Sequence, residues 1–204
     1  SAASAAAAAV GLSKLYDTDH SRAELVRVAA EGEAAVSGSA HADNVAPAIL
    51  GGFTVVRKNG VESVDASVPL VACLPETVVS TRQARSVLPE RVDLTTLTET
   101  VGNAATLTIG MQRNDPELIG QGMSESVVTP ARAALIDGYD EAVEAARSAG
   151  ATGVTVSGAG PALLAVTHSG DQRAVAAAMV DAFEDRGIEA RTFSTMIGTG
   201  AEIH

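Results

Sequence analysis

The order of the apolar segments in the second part of the chain constrains its fold more than any other feature. The periodicity predicts a buried strand over residues 68–74, then a series of helices, and then two short strands over 153–157 and 162–166. A helix over 171–186, with Val175, Met179, Ala182 and Phe183 facing inward, and a strand over 189–196 close the chain. This order is close to the ferredoxin-like split unit with extra helices inserted, so we predict an α+β fold.

Helices dominate the first part of the chain. Residues 2–16 are rich in Ala and Leu, which favour helix, and residues 43–50 end at a glycine pair. The helix predicted over residues 20–37 carries an apolar stripe at three- and four-residue spacing: Leu25, Val28, Ala29, Gly32 and Val36. A strand over 53–57 follows. We place a domain boundary here, with one domain over 1–57 and the other over 58–204.

Charge excludes some classes of partner. The chain has 25 acidic against 14 basic residues, a net charge of −11, and no basic stripe that could neutralise the phosphates of a nucleic acid. No apolar run approaches the roughly 18 residues that span a bilayer. Twelve of the basic residues are Arg and two are Lys. Low Lys and high acid are typical of proteins from salt-loving microbes.

Cys73 is the single cysteine, which excludes intramolecular disulfides and zinc clusters built on Cys. A reducing compartment fits this composition, and we expect a cytoplasmic protein.

Glu33 is the most informative single residue. It lies four residues after Ala29 and eight after Leu25, which places a carboxylate on the apolar face of its helix. Such a group needs a metal, an Arg or a proton as its partner, or it must reach outward to solvent.

Two further segments suggest ligand contact. The helix that opens at Ser1 offers N–H groups and a positive dipole end to a phosphate, although Ser1 could also be a plain cap. The run Ser157-Gly-Ala-Gly-Pro161 joins two short strands, where glycines let backbone approach a ligand or simply form a turn.

Together these segments resemble the GHMP kinases. The run Ser1-Ala-Ala-Ser resembles the tail of their phosphate loop, and Val154 to Pro161 resembles their third motif. Within that superfamily, His41 to Gly52 is similar to a segment of the homoserine kinases, as are Thr81 to Pro89 and Pro130-Ala-Arg132. Ala42 departs from the proline that the family usually has.

The resemblance implies a GHMP-kinase two-domain fold, with helices of an S5-like N-terminal domain followed by a ferredoxin-like C-terminal domain. It implies phosphorylation of the hydroxyl of L-homoserine by ATP with Mg²⁺, a step of threonine biosynthesis. The catalytic residues implied are Glu33 and Thr81, and the metal ligands implied are Ser1 and Glu33. The residues implied to bind ATP phosphates are Ser1, Ala2, Ala3 and Ser4. The residues implied to bind substrate are His41, Asn44, Arg85, Arg132, Gly158 and Gly160.

The family carries a further segment before its phosphate loop. We therefore expect this chain to be a C-terminal portion that is inactive by itself. Its partners are expected to be ATP and homoserine, with no nucleic acid or membrane, and a homodimer is the assembly considered. Two other functions stay open. One is a different small-molecule GHMP kinase of the mevalonate type, and the other is an inactive or regulatory ferredoxin-like domain.

The charge pattern generates a prediction about salt. We expect the chain to become more compact and more stable as KCl rises to molar levels, because the Debye length then falls to about 3 Å and screens acidic repulsion. Thermal unfolding with hydrogen exchange across a salt series measures this. A midpoint that stays flat or falls with salt would contradict the halophilic interpretation. We also expect the apolar stripes within residues 1–57 to be partly uncovered, because these helices belong to a split domain, and uniformly strong hydrogen-exchange protection there would contradict this.

Overall fold

The computed structural model describes residues 2–37 and 42–203, and only the backbone of Val36 and Ser37. The chain forms two compact units. Unit 1 contains the described residues up to Ser67 together with those from Ile197 onward, and unit 2 is Val68–Met196. The predicted boundary after residue 57 remains a proposal about the family's domains. The described helices include none that is long and apolar enough to cross a membrane.

Unit 1 is built from helices and one hairpin. Its elements are α1 (Ala2–Leu15), α2 (Arg22–Ser37), α3 (Ala42–Leu50), β1 (Phe53–Arg57) and β2 (Gly60–Val64). The helices enclose a core of mostly small side chains: Ala6, Leu25, Val26, Ala29, Val45, Ala46 and Ile49. The strands pair antiparallel, with Phe53 opposite Val64 and Arg57 opposite Gly60. The Lys58-Asn59 turn joins them.

Arg22 fixes the tail of the chain to unit 1. Its Nη1 donates to the carbonyl oxygen of Ile49 at 2.5 Å, and its Nη2 donates to that of Ala201 at 3.0 Å. The Gly52 amide also donates to the Gly198 carbonyl at 2.9 Å. These bonds explain why residues far apart in sequence share one unit.

The predicted apolar stripe of α2 is partly wrong. Val28 is 50% exposed, whereas Val26 and Ala30 are buried beside Leu25 and Ala29. Gly32 is also exposed. The reason is that α2 packs against both α1 and α3, so its buried face is set by two neighbours and is rotated from the face that spacing alone selects. Val36 lies outside the residues whose side chains are described.

Unit 2 holds an antiparallel sheet covered by helices. Its elements are β3 (Pro69–Pro75), α4 (Thr81–Ser86), α5 (Leu94–Arg113), α6 (Pro116–Gly122), α7 (Val128–Ala133), α8 (Tyr139–Ser148), β4 (Ala151–Val156), β5 (Leu163–Thr167), α9 (Gln172–Glu184) and β6 (Ala190–Met196). The strand order is β4-β5-β3-β6, with every pair antiparallel. That is the order of the ferredoxin-like split unit, so the predicted fold class is confirmed.

The core of unit 2 lies between this sheet and helices α8 and α9. The helix α9 contributes Val175, Met179 and Phe183, which are fully buried as their spacing predicts. The central strand β3 contributes Val71 and Cys73, which are also fully buried. Burial raises the pKa of the Cys73 thiol to about 11, so the thiol stays neutral at physiological pH.

The sequence analysis missed strand β2 and helix α6. Asp115 caps α6, accepting from the amides of Glu117 and Leu118 at 3.1 and 3.2 Å, and Pro116 is its first residue. The two glycines of α6 lower its helix propensity and hide it from pattern analysis. Both glycines allow the backbone of α6 to pack closely against the backbone of a neighbouring element. A Cβ on Gly120 would lie 2.1 Å from the oxygen of Thr152, and one on Gly122 would lie 2.3 Å from the nitrogen of Leu107.

This packing predicts opposite effects for two Gly→Ala substitutions. We expect Gly120→Ala to lower the free energy of unfolding by about 1–3 kcal/mol, because the new methyl group meets backbone of β4 that cannot move easily. Gly102→Ala on the open face of α5 is the control. It should raise that free energy by about 0.5–1 kcal/mol through helix propensity. Urea unfolding of both variants measures the difference, and equal effects would contradict the close contact of α6 with β4.

Candidate functional site

The residues implied to bind phosphate lie at the start of α1. Ala3 and Ser4 are exposed in its first turn, and Ala2 is half-buried. The helix is 14 residues long and has no acidic side chain in its first turn that would repel an anion. Ser1 and His41, two further implied residues, lie outside the described residues.

Glu33 lies on the buried face of α2, as its spacing predicts. Its side chain is 8% exposed, and the Oε2 atom is enclosed. A carboxylate oxygen is a hard donor of the kind that Mg²⁺ prefers. Within the described residues no group of three acidic, His or Cys side chains could hold a metal ion. A single enclosed carboxylate can serve as a Mg²⁺ ligand, because Mg²⁺ at phosphates is commonly held by one or two protein carboxylates with water and phosphate oxygens.

Asn44 is in the first turn of α3 and is exposed. Its backbone amide donates to the Oδ1 atom of Asp43 at 3.1 Å. The side-chain amide faces solvent and can both donate and accept.

Arg132 brings three segments of unit 2 together. It lies in the last turn of α7, and its Nη1 donates to the carbonyl oxygen of Gly158 at 2.6 Å. Its Nε donates to the carbonyl oxygen of Ala84 at 3.3 Å. Ala84 directly precedes Arg85 in α4, so Arg132 contacts the helix that carries the second implied arginine. These two bonds use two of the five N–H groups of the guanidinium.

The bend between β4 and β5 presents Gly158 to Arg132. The amide of Ser157 donates to the carbonyl of Ala162 at 2.7 Å, and that of Gly160 donates to Ser157 at 3.0 Å, which closes the bend. Gly158 has φ +57° with open space beside it, and Gly160 has φ +82° with Ile136 against it. Both conformations favour glycine. The bend therefore leaves room for a ligand at Gly158.

Thr81 and Arg85 occupy the two ends of α4. Ser80 caps this helix through a capping box, in which its Oγ accepts from the Gln83 amide at 3.1 Å and its own amide donates to Gln83 Oε1 at 3.2 Å. Thr81 is the first residue of the helix, and both Thr81 and Arg85 are exposed. The cap gives this six-residue helix a fixed start.

Glu125 was missed by the sequence analysis. One of its oxygens accepts from the amides of Val127 and Val128 at 2.6 and 2.8 Å, and the other accepts from the amide of Thr129 at 2.5 Å. Burial raises the pKa of Glu125, but the three amides, Thr129 first, outweigh burial and hold the pKa below its usual value. An acidic residue shortly before the Thr129-Pro130 pair was the available signal, since Pro is favoured in a first helical turn.

A cavity of about 1050 Å³ in unit 2 is lined in part by Thr129, Pro130 and Ala133 of α7. Acidic side chains dominate its charged lining: Glu99, Glu125, Asp137, Asp140 and Glu141. Arg186 pairs there with Asp137, and with Glu141 at 2.6 Å. Neither Arg85 nor Arg132 is among its lining residues. The implied substrate residues are therefore separate from this acidic cavity.

Comparison with known families gives matches at both ends of the chain. The model for the GHMP kinase N-terminal domain matches residues 1–52, and the model for the GHMP kinase C-terminal domain matches residues 107–185. The class of protein that the fold and these matches define is the GHMP kinase.

Individual relatives narrow the class. The chain is 64% identical to the homoserine kinase of Natronomonas pharaonis over 203 residues and 63% identical to that of Haloarcula marismortui. Each match takes in 100% of this chain and 70% of the relative. A solved homoserine kinase from Cytophaga hutchinsonii superimposes with a TM-score of 0.86 at 33% identity, over 93% of this chain and 62% of that one. The chain belongs to the homoserine kinase family.

The relatives also agree with the composition. Both named relatives come from halophilic archaea. This agrees with the halophilic character that the excess of acidic residues and the scarcity of Lys in this chain predict. The chain spans about 62–70% of the length of these proteins.

Proposed function

We propose that these residues serve a kinase that transfers the γ-phosphoryl group of ATP to the hydroxyl of L-homoserine. The observation that supports the substrate assignment is the bond from Arg132 to the carbonyl of Ala84, which ties Arg132 to the helix that carries Arg85. Two guanidinium groups on adjoining segments suit the α-carboxylate of an amino acid, since Arg grips carboxylates through paired bonds.

We assign further roles to the other implied residues. Asn44 and His41 contact the polar groups of homoserine, and the glycine bend at Gly158 and Gly160 lets backbone approach the substrate. Thr81 stands near the reacting hydroxyl. Phosphoryl transfer depends largely on positioning and on neutralising charge, and we assign no general base.

The phosphate side of the reaction belongs to α1 and α2 in this proposal. The amides at Ala2, Ala3 and Ser4 and the hydroxyl of Ser1 hold the phosphate oxygens. Glu33 supplies the carboxylate for Mg²⁺, which when bound neutralises charge on the β- and γ-phosphates. We place the enzyme in the cytoplasm, where a buried free thiol such as Cys73 persists.

A mevalonate-type substrate is less favoured. Both substrates carry a carboxylate that the arginines could bind, and the choice of homoserine is supported by the relatives named above, at 63–64% identity, which are homoserine kinases. A purely regulatory domain is also disfavoured, because such a domain has no need for the buried carboxylate of Glu33 or for substrate arginines such as Arg85 and Arg132.

Assigning Arg85 and Arg132 to homoserine predicts that their loss weakens the binding of homoserine but not that of ATP. In an active kinase containing these residues, Arg85→Ala and Arg132→Ala should each weaken homoserine binding by about ten- to a hundredfold, with little change for ATP. The expected loss corresponds to about 1.5–3 kcal/mol for a charge-assisted bond. Calorimetric titration with each substrate measures it. Arg82→Ala, on the exposed surface of α4, is the matched control for Arg85→Ala. Equal losses of affinity for homoserine and for ATP would contradict the assignment.

The metal assignment predicts the effect of Glu33→Gln. The amide keeps the shape of the side chain but not its charge, so phosphoryl transfer should nearly vanish while the unfolding midpoint stays close to that of the parent. Turnover is measured over a Mg²⁺ titration. Glu31→Gln on the exposed face of α2 removes the same charge and should have little effect. Near-normal turnover of Glu33→Gln at limiting Mg²⁺ would make Glu33 a structural carboxylate.

A further inference from the structure

The start of α7 depends on a single side chain. The four amide positions that have no partner inside a helix are here Val127, Val128, Thr129 and Pro130. Proline has no N–H, and the other three amides all donate to the carboxylate of Glu125. Val127, at the capping position, contributes no side-chain bond of its own. Glu125 thus satisfies every donor at this helix start.

The helix α7 has few other contacts that hold it in place: Ala133 packs against the core of unit 2, and Arg132 bonds to Ala84 and Gly158. It has only six residues, and a helix of that length is not stable by itself. None of its residues is fully buried. One side-chain bond joins it to the sheet, between the hydroxyls of Thr129 and Thr155 at 2.9 Å. The Glu125 cap is therefore a large share of what fixes the helix.

Arg132 lies at the other end of the same helix, one turn beyond the capped residues. Its bonds to Gly158 and Ala84 require α7 to keep its place relative to the glycine bend and α4. A frayed α7 would release the guanidinium while leaving the sheet intact. The carboxylate of Glu125 stays ionised at neutral pH, since its pKa lies below the usual value, so the cap is present under assay conditions.

We infer that Glu125 is a positioning residue for homoserine, acting through α7 to hold Arg132 where it meets the substrate carboxylate. This inference rests on the proposed function, because it uses the assignment of Arg132 to homoserine. It concerns an interaction with backbone that Glu125 makes without touching substrate.

Steady-state kinetics of Glu125→Gln and Glu125→Asp test the inference. We expect Glu125→Gln to raise the KM for homoserine about five- to tenfold, the effect of losing about 1 kcal/mol of helix capping, with the KM for ATP changed less than about twofold. Glu125→Asp keeps the charge and a capping oxygen, and should restore the KM for homoserine to within about threefold of the parent. Hydrogen exchange at residues 127–129 should quicken in the Gln variant.

Glu99→Gln is the matched control. Glu99 lines the same acidic cavity as Glu125, is exposed on α5 and caps no helix. We expect it to change neither KM. If it behaves like Glu125→Gln, the charge of the cavity is responsible and the inference fails.

Other outcomes separate this inference from the proposed function. If Arg132→Ala weakens homoserine binding but Glu125→Gln leaves both KM values unchanged, or shifts both equally, the positioning role is overturned and the function stands. If Arg132→Ala has no effect on homoserine, the substrate assignment itself fails. Should Glu125→Gln not fold, the split is read from Glu125→Asp, whose shorter side chain caps less well: a rise of about two- to threefold in the KM for homoserine alone supports the role, and no rise or an equal rise for ATP overturns it.

Discussion

The site in unit 2 depends on the guanidinium of Arg132. Its bonds to the carbonyls of Gly158 and Ala84 join a short helix, a glycine bend and a second short helix, none of which is stable alone. Arginine suits this task because its planar group presents several donors in fixed directions. These bonds leave other N–H groups of the guanidinium unused, and in the proposed function those groups bind the substrate. One side chain thus organises the site and contributes to it.

The sequence predicted the parts of the molecule that follow from local periodicity. The split α+β sheet, the inward face of α9 and the position of Glu33 on the apolar face of α2 all followed from spacing, because a helix or strand with one buried face repeats regularly. Spacing gave a partly wrong buried face for α2, which packs against two neighbouring helices. Val28 is exposed and Val26 is buried since α2 packs against both α1 and α3.

Contacts set by tertiary structure were beyond pattern analysis. The glycines of α6 suggest a loop, and only the close approach of Gly120 to Thr152 explains them. Glu125 lies in an unremarkable polar stretch, and its three backbone bonds become visible only when α7 is in place. For the candidate site, the identity of the substrate residues came from resemblance to a family. The bonding of Arg132 to Gly158 came from the structure alone.

A crystal structure of the kinase with L-homoserine bound tests the central claim most directly. The account predicts that the α-carboxylate lies within hydrogen-bond distance, about 2.7–3.1 Å, of the guanidinium groups of Arg85 and Arg132, with the Gly158 bond retained. A carboxylate bound away from both arginines, for example with homoserine in the acidic cavity beside Glu99, would contradict it.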